Sequence, residues 1–295
     1  MLSMSKTLIL FLCLGLAGLA AACATAPFTG RHQVLVTSEG SETKMGLQAF
    51  QQIQRQYRVS HDQEANALVN RVGQRIAAAA QRLDYRWEFV VFDNKDANAF
   101  CLPGGKVGIF TGILRYTQDE AGLATVVSHE VAHALARHAG ERMSHSMLAQ
   151  AGGSVLGVAV GGAGSLAGTA IMQGYSLGTQ LGILLPYSRT QEYEADHIGL
   201  ILMAKAGYDP AQALEFWRRM MAMDQKAKPP QFMSTHPSDA SRLRELQAFL
   251  PEAQKYYIPA YEAEPPPRQT PLTRPPPQSG APRPPEEGRW LPAPR

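Results

Sequence analysis

The chain has 295 residues, 45% of them hydrophobic, which is enough to build the core of one large domain with additional segments at its ends. Its formal net charge is only +3, and no block of Lys and Arg stands out. This excludes the strongly basic surface typical of nucleic-acid-binding proteins, so we expect no nucleic-acid partner.

Residues 1–22 are typical of an export signal of the lipoprotein type. Lys6 supplies the positive charge, and an uninterrupted apolar run extends from Thr7 to Ala20 before small residues lead into Cys23. Because the small residues end at a Cys, we predict that Cys23 is lipidated and anchors the protein to a membrane. Ala24 rather than Asp follows it, so we expect this membrane to be the outer membrane, with the protein at its periplasmic face. The alternatives are an ordinary secretory signal, which would give a soluble periplasmic protein, and an uncleaved membrane anchor.

Composition divides the rest of the chain into three parts. Residues 23–39 are expected to be an N-terminal linker, and residues 40–262 are expected to be the folded domain. The segment 263–295 is dominated by Pro and lacks apolar residues to bury, so we expect an extended, disordered tail.

Two strands are predicted in the first half of the domain. The run Trp87 to Phe92 is rich in β-branched and aromatic residues, and Lys106 to Phe110 follows a turn at Pro103-Gly104-Gly105. Cys101 precedes this turn. We expect it to be a small buried residue rather than an inhibitory ligand to a metal.

A motif for metal binding follows at His129-Glu130-Val131-Ala132-His133. The run from Ala121 to His138 is rich in Ala, Val and Leu, which predicts a helix. Two histidines four residues apart then share one helix face and can bind one Zn²⁺, while the neighbouring Glu130 can act as a general base. The alternative is a helix with two solvent-facing histidines, so a third ligand decides. His138 is expected to be a surface residue or to support the ligands from outside.

The stretch from Met143 to Ser188 contains no charged residue and is Gly-rich in its middle. Gly, Ser, Thr and Gln interrupt it and no basic cluster flanks it, so we expect a closely packed or mobile soluble segment. The alternative is insertion into the membrane.

Candidates for the third ligand lie on the next predicted helix. Ser188 and Gln191 form a capping box that begins this helix. Glu192 and Asp196 then lie one turn apart on the same face, where one carboxylate can bind zinc and the other can hold a ligand histidine. Glu194 points elsewhere, about 200° round the helix axis. Without the histidine motif, such an acidic pair would indicate only a solvated face.

These motifs together resemble a known family. The chain is similar to the gluzincin-type zinc metallopeptidases that include HtpX, BepA, LoiP and the mitochondrial Oma-type peptidase. The similarity extends from about Gly40 to Tyr257 and rests on the histidine motif, the acidic helix and two further stretches, Asn98-Ala99-Phe100 with Pro103-Gly104-Gly105 and Ser234-Thr235-His236-Pro237-Ser238. The Pro-rich tail stands where BepA carries tetratricopeptide repeats, so we expect LoiP-like periplasmic lipoproteins to be the nearest match.

The resemblance implies roles for individual residues. It assigns one zinc ion per chain, bound by His129, His133 and Glu192, with Glu130 as the catalytic base. Asp196 matches the acid that supports the ligands, and Arg189 matches an Arg before the third ligand whose role is unassigned.

Two implied roles leave alternatives open. His236 either occupies the fourth zinc position and holds the enzyme shut, or stabilises the oxyanion; from the residues alone it is only a loop histidine before Pro. Val107, Gly108 and Ile109 match an edge strand that pairs with extended substrate, and the alternative is an ordinary core strand.

The expected fold is α+β and mainly helical. The active-site helix and the third-ligand helix should pack beside a small β-sheet whose edge strand borders the zinc cleft. The expected function is a zinc-dependent metalloendopeptidase in which Glu130 activates a zinc-bound water. Its expected substrates are unfolded or misassembled envelope proteins, outer-membrane proteins in particular, as in protein quality control. The alternative is an envelope chaperone or assembly factor with a normally latent protease site.

Overall fold

The structure is a computed structural model that describes residues 23–159, 187–224, 230–237 and 240–259. The predicted signal peptide 1–22, most of the uncharged stretch 143–188 and the Pro-rich tail 263–295 lie outside these residues. The backbone of Cys23 is included, but its side chain is not. No helix in the described parts is long and apolar enough to cross a bilayer.

Helices dominate the described residues and the strands are short, which confirms the predicted mainly helical α+β class. The strands are β1 (Cys23–Thr25), β2 (His32–Val34), β3 (Glu88–Phe92), β4 (Ala99–Leu102) and β5 (Lys106–Phe110). The helices are α1 (Glu39–Gln56), α2 (Gln63–Ala80), α3 (Thr111–Thr117), α4 (Glu120–Leu135), α5 (His138–Ala159), α6 (Arg189–Lys205), α7 (Gln212–Asp224), α8 (Gln231–Thr235) and α9 (Ala240–Gln254).

Strands β3, β4 and β5 form a three-stranded sheet in the order β3-β5-β4. β5 pairs in parallel with β3 and antiparallel with β4. The turn at Gly104 and Gly105 connects β4 to β5. Both glycines have positive φ, a conformation that other residues rarely adopt. Because β5 lies between β3 and β4, β4 is an edge strand. It packs against α4.

The expectation that Val107, Gly108 and Ile109 form a substrate-pairing edge strand is wrong. They lie in the central strand β5, which already has a partner on each side, so its backbone has no free edge for a substrate. Val107 and Ile109 are fully buried, and a Cβ at Gly108 would lie 2.2 Å from the ring of Phe100. The error arises because the order of strands depends on long-range pairing, which the local pattern does not record.

Helix α4 lies at the centre of the fold. Every residue from Gly122 to Leu135 is buried, as expected of a helix that is apolar on all sides. It packs most extensively against α6. The two helices approach closely at Gly199, where an added Cβ would lie 3.3 Å from the Cα of His129. This close contact brings the acidic residues of α6 to the histidines of α4.

The segment 23–39, expected to be a linker, is structured. β1 and β2 pair as an antiparallel hairpin with Cys23 opposite Val34, and we call residues 23–34 the N-terminal hairpin. Ala26 and Gln33 are buried, and the side chain of Arg31 forms ion pairs with Glu141 and Glu194. The linker prediction failed because these contacts join residues more than 100 positions apart.

Candidate metal centre

Helix α4 positions His129, Glu130 and His133. Asp119 caps its first turn by accepting a hydrogen bond from the Gly122 N–H at 2.7 Å. The helix ends at Leu135, three residues before the predicted end. The chain then turns at Arg137, whose positive φ of 57° breaks the helix and directs the next residue, His138, back toward His133.

Helix α6 brings Glu192 to the same place. The predicted capping box is present: the Ser188 hydroxyl accepts from the Gln191 N–H, and the Gln191 side chain accepts from the Ser188 N–H. Glu192 therefore lies in the first turn, with Asp196 one turn further on the same face. His236 reaches the cluster from the C-terminal end of the short helix α8.

The side chains of His129, His133, Glu192 and His236 converge on one point and are all buried. His129 Nε2 lies 3.1 Å from His133 Nε2 and 3.2 Å from His236 Nδ1. Glu192 Oε1 lies 3.0 Å from His236 Nδ1 and 3.4 Å from His133 Nε2. A tetrahedral Zn²⁺ with bonds of about 2.0–2.1 Å holds its ligand atoms about 3.3–3.4 Å apart, so the four side chains fit the ion.

The electrostatics of the cluster also suit a cation. Burial lowers the pKa of His133 well below its usual value, which keeps the imidazole neutral and its lone pair available. Burial alone would raise the pKa of Glu192, but the charges of Arg242 and His236 and the hydrogen bonds from His129 and His133 together outweigh it and keep the carboxylate ionised. A neutral imidazole and a carboxylate are the protonation states that zinc requires of its ligands.

Glu130 has the environment of a general base. Its Oε1 is buried and has no hydrogen-bond partner among the described residues, although His236 Nε2 lies 3.1 Å away. Burial raises the pKa of Glu130 to about 7, partly opposed by the nearby His236 and by a hydrogen bond with the backbone of Cys101. A carboxylate with a free oxygen and a pKa near neutrality is suited to exchanging protons with water. Cys101 is buried in β4, as predicted.

Asp196 contacts His129, one of the candidate ligands. Its Oδ1 lies 3.0 Å from His129 Nδ1, the nitrogen on the far side of the ring from the cluster. This contact fixes the ring so that Nε2 faces the metal position. Burial alone would raise the pKa of Asp196, but the charge of Arg242 and the hydrogen bonds from Arg242 and His129 lower it overall.

Sequence reasoning missed Arg242, on α9. Its guanidinium contacts Asp196 at 2.5 and 2.8 Å and Glu192 at 2.6 Å, and it lies 3.8 Å from the ring centre of Trp217. Arg189, the arginine that the family pattern suggested, is instead exposed at the start of α6. A signal for Arg242 was present: Leu246 lies one turn later, so the arginine falls on the apolar face of its helix.

Of the two expectations for His138, the surface position is wrong and support of the ligands from outside stays open, while the contact made by Glu194 was missed. Both are buried, and His138 lies between His133 and Glu194. Glu194 does point away from Glu192, as predicted, but toward this histidine rather than toward solvent. No local pattern identifies the pair, because they meet across 56 residues.

Comparison with known proteins places this geometry in context. A family model described as peptidase family M48 matches residues 63–250. The chain is 38% identical to the mitochondrial metalloendopeptidase OMA1 of Schizosaccharomyces pombe over 232 residues, which cover 77% of this chain and 66% of the relative. It is 36% identical to OMA1 of Saccharomyces cerevisiae over 179 residues, 58% of this chain and 49% of the relative. It is 28% identical to the beta-barrel assembly-enhancing protease of Escherichia coli K12 over 230 residues, 76% of this chain and 46% of the relative. The matched part thus spans between about half and two thirds of these relatives.

Proposed function

This chain belongs to peptidase family M48 and is a zinc metallopeptidase, and on that premise we propose that it cleaves unfolded or misassembled proteins of the bacterial cell envelope. The observation that carries the peptidase assignment is the convergence of four possible ligand atoms beside the buried carboxylate of Glu130. Similarity to a protease whose name refers to β-barrel assembly supports outer-membrane proteins as the substrate class.

The residues divide the catalytic work. His129, His133 and Glu192 would hold the zinc ion, which would polarise the scissile carbonyl and make water more acidic. Glu130 accepts the proton of the attacking water at Oε1 and later delivers it to the leaving amine. Asp196 keeps the His129 ring aligned throughout, because it holds the nitrogen that does not face the metal.

His236 must move before a substrate can be cleaved. Its Nδ1 completes the four-ligand set, and its Nε2 faces Glu130, so the side chain occupies the space that the scissile carbonyl needs. Two backbone hydrogen bonds hold this segment: Phe232 N–H donates to Ala97 at 2.8 Å, and Tyr187 N–H donates to Thr235 at 3.2 Å. Breaking both costs about 1–3 kcal/mol, which keeps the open form a minority. This supports low resting activity, and with it the second candidate, an assembly factor whose protease site is normally latent.

Localisation at the periplasmic face of the outer membrane is part of the proposal. The apolar run and the small residues before Cys23 support export and lipidation. A Cys23→Ser variant should lose lipid labelling with a radioactive fatty acid and leave the outer-membrane fraction, whereas the control Cys101→Ser should retain both. Unchanged labelling of Cys23→Ser would refute lipidation at this position.

The functional proposal is tested with Glu130→Gln, which removes the base and keeps the size of the side chain. The variant should bind zinc as the wild type does and cleave no casein. In envelope proteomes, misassembled outer-membrane proteins should accumulate in this strain and not in a Glu215→Gln strain, which alters only an exposed ion pair. Retained casein cleavage would refute the role of Glu130, and an unchanged proteome would refute quality control in favour of a narrower processing role.

A further inference from the structure

The nitrogen of His133 that faces away from the metal cluster is part of a buried chain of hydrogen bonds. His133 Nδ1 lies 2.8 Å from Nδ1 of His138, and Nε2 of His138 lies 3.0 Å from Oε2 of Glu194. His138 is fully buried, and only 4% of Glu194 is exposed. Nothing in the mechanism above requires either residue, so this arrangement needs its own explanation.

Metal binding allows only one arrangement of protons along this chain. When His133 binds an ion through Nε2, its proton is on Nδ1 and is donated to His138. The Nδ1 of His138 then accepts, so the proton of His138 is on Nε2 and is donated to the Glu194 carboxylate. Every donor meets an acceptor, and the chain ends on a negative charge. This makes the His133 imidazole a better electron donor and fixes its ring orientation.

We propose that His138 and Glu194 are positioning residues for the zinc ligand His133, and that Arg31 of the N-terminal hairpin holds this pair in place. The arrangement is the longer counterpart of the contact between Asp196 and His129. Both histidine ligands are then supported by carboxylates of helix α6. The inference rests on the zinc site of the proposed function and not on its proposed substrates.

Arg31 and Thr29 hold the Glu194 carboxylate, at the far end of this series of hydrogen bonds. Arg31 Nε donates to Glu194 Oε2 at 2.7 Å, and the Thr29 hydroxyl donates to Oε1. The other two guanidinium nitrogens of Arg31 donate to both oxygens of Glu141 at 2.7 and 2.8 Å. Arg31 thus places one positive charge between two carboxylates that would otherwise repel each other, and it leaves the Glu194 carboxylate little freedom to rotate.

The start of α5 is also built to present His138. Arg137 adopts a left-handed conformation, with φ of 57°, that is unfavourable in a residue other than Gly. Two hydrogen bonds to Glu42, at 2.7 and 3.0 Å, and one to the Thr37 carbonyl, at 2.9 Å, hold it there. The strained turn allows a histidine five residues after His133 to fold back onto it.

The consequence is that zinc affinity depends on whether the N-terminal hairpin keeps its contacts with Glu194 and Glu141. The hairpin contributes no ligand, yet its Arg31 contacts the Glu194 carboxylate. Only His138 lies between this carboxylate and His133 in the series of hydrogen bonds. Because the hairpin begins at Cys23, the segment next to the predicted lipid anchor takes part in supporting the metal site.

The test measures zinc binding directly. The full chain carrying His138→Phe, Glu194→Gln or Arg31→Met is stripped of metal and titrated with Zn²⁺ against a chromophoric chelator. Thermal unfolding of the metal-free form and the absorption spectrum of the Co²⁺ form are recorded on the same samples. Arg58→Met is the matched control, because it removes an exposed arginine whose partner Asp93 is not part of the site.

We expect the affinity for Zn²⁺ to fall about 10- to 100-fold in the variants of His138 and Glu194, the usual effect of losing such support, and less in Arg31→Met. The Co²⁺ spectrum should shift in all three and stay unchanged in the control. His138→Asn should restore part of the affinity, since its side-chain oxygen can accept from His133. The double variant of Arg31 and Glu194 should bind zinc no more weakly than Glu194→Gln alone, because Arg31 acts through Glu194.

Affinities within twofold of the wild type, together with lower thermal stability of the metal-free form, would overturn the proposal and leave these residues a purely structural role. Equal losses in Arg58→Met, or additive losses in the double variant, would overturn it as well. Because no substrate is present in the assay, a negative result would not affect the proposal that envelope proteins are the substrates. Failure of the proteome experiment would equally leave this result intact.

Discussion

Replacing Arg242 by Met removes a buried positive charge while keeping a side chain of similar length. The guanidinium is 2% exposed and makes three contacts of 2.5–2.8 Å with Asp196 and Glu192. Removing one partner of a buried ion pair costs about 3–5 kcal/mol, because the remaining charge has neither water nor counter-ion. For a domain of this size we expect Tm to fall by about 6–20 °C in the metal-free protein.

The assay is urea and thermal unfolding of the chelator-treated protein, with Arg218→Met as the control. Arg218 forms an exposed ion pair with Glu215, and such pairs contribute about 0–1 kcal/mol. Arg242→Lys should lie between the wild type and Arg242→Met, because it keeps the charge and loses the fork of parallel hydrogen bonds.

The pH dependence provides an independent check of the cause. The pKa of Asp196 in the folded protein is lowered, so its contribution to stability is present above its unfolded pKa and is lost as the pH falls through the folded value. In Arg242→Met, burial should instead raise this pKa, so the carboxyl is protonated more readily. The stability difference between wild type and variant should therefore shrink as the pH falls from the variant's raised pKa, above about 4, towards the lowered pKa of the wild type. A loss below about 1 kcal/mol, or one independent of pH, would refute the reasoning.

Three further predictions concern the metal centre. His236→Ala opens the fourth position and should raise resting casein cleavage at least about fivefold, the lower end of the cost of displacing that segment; unchanged or lower activity would favour an oxyanion role. The kcat/KM for a fluorogenic peptide should fall as the pH drops below about 7, because burial raises the pKa of Glu130 to about 7 and the base must be ionised. A bound zinc ion would move this fall in activity to lower pH. A profile that stays flat down to about pH 5 would contradict the assignment. Removing zinc should lower Tm reversibly, since zinc at 100 times its Kd stabilises the folded state by about 2.7 kcal/mol; an unchanged Tm would show that the ion is not bound tightly at this site.

Much of the site could be predicted because its parts are local patterns. The spacing of His129 and His133 follows from the helical repeat, and the capping box at Ser188 fixes where Glu192 falls in its helix. The structure places these residues and His236 within reach of one ion. Arg242, His138 and Glu194 were missed or undervalued, because each matters through contacts with other elements. The edge strand was misassigned for the same reason: strand order is a property of pairing and not of any one strand.

The sequence by itself determined the two helices that carry the candidate ligands, the ligand types and the metal that suits them, since helix periodicity, capping and ligand chemistry act over a few residues. Only the tertiary structure decided what surrounds those ligands. The close approach of α4 and α6 at Gly199 brings Glu192 and Asp196 to the two histidines of α4, while Glu194 of the same helix reaches His138 at the start of α5. Arg242 and hydrogen bonds from the histidines keep Glu192 and Asp196 ionised against the effect of burial. The N-terminal hairpin joins the site through Arg31, 163 residues before its partner Glu194. Such contacts depend on how distant segments pack, which no local pattern specifies.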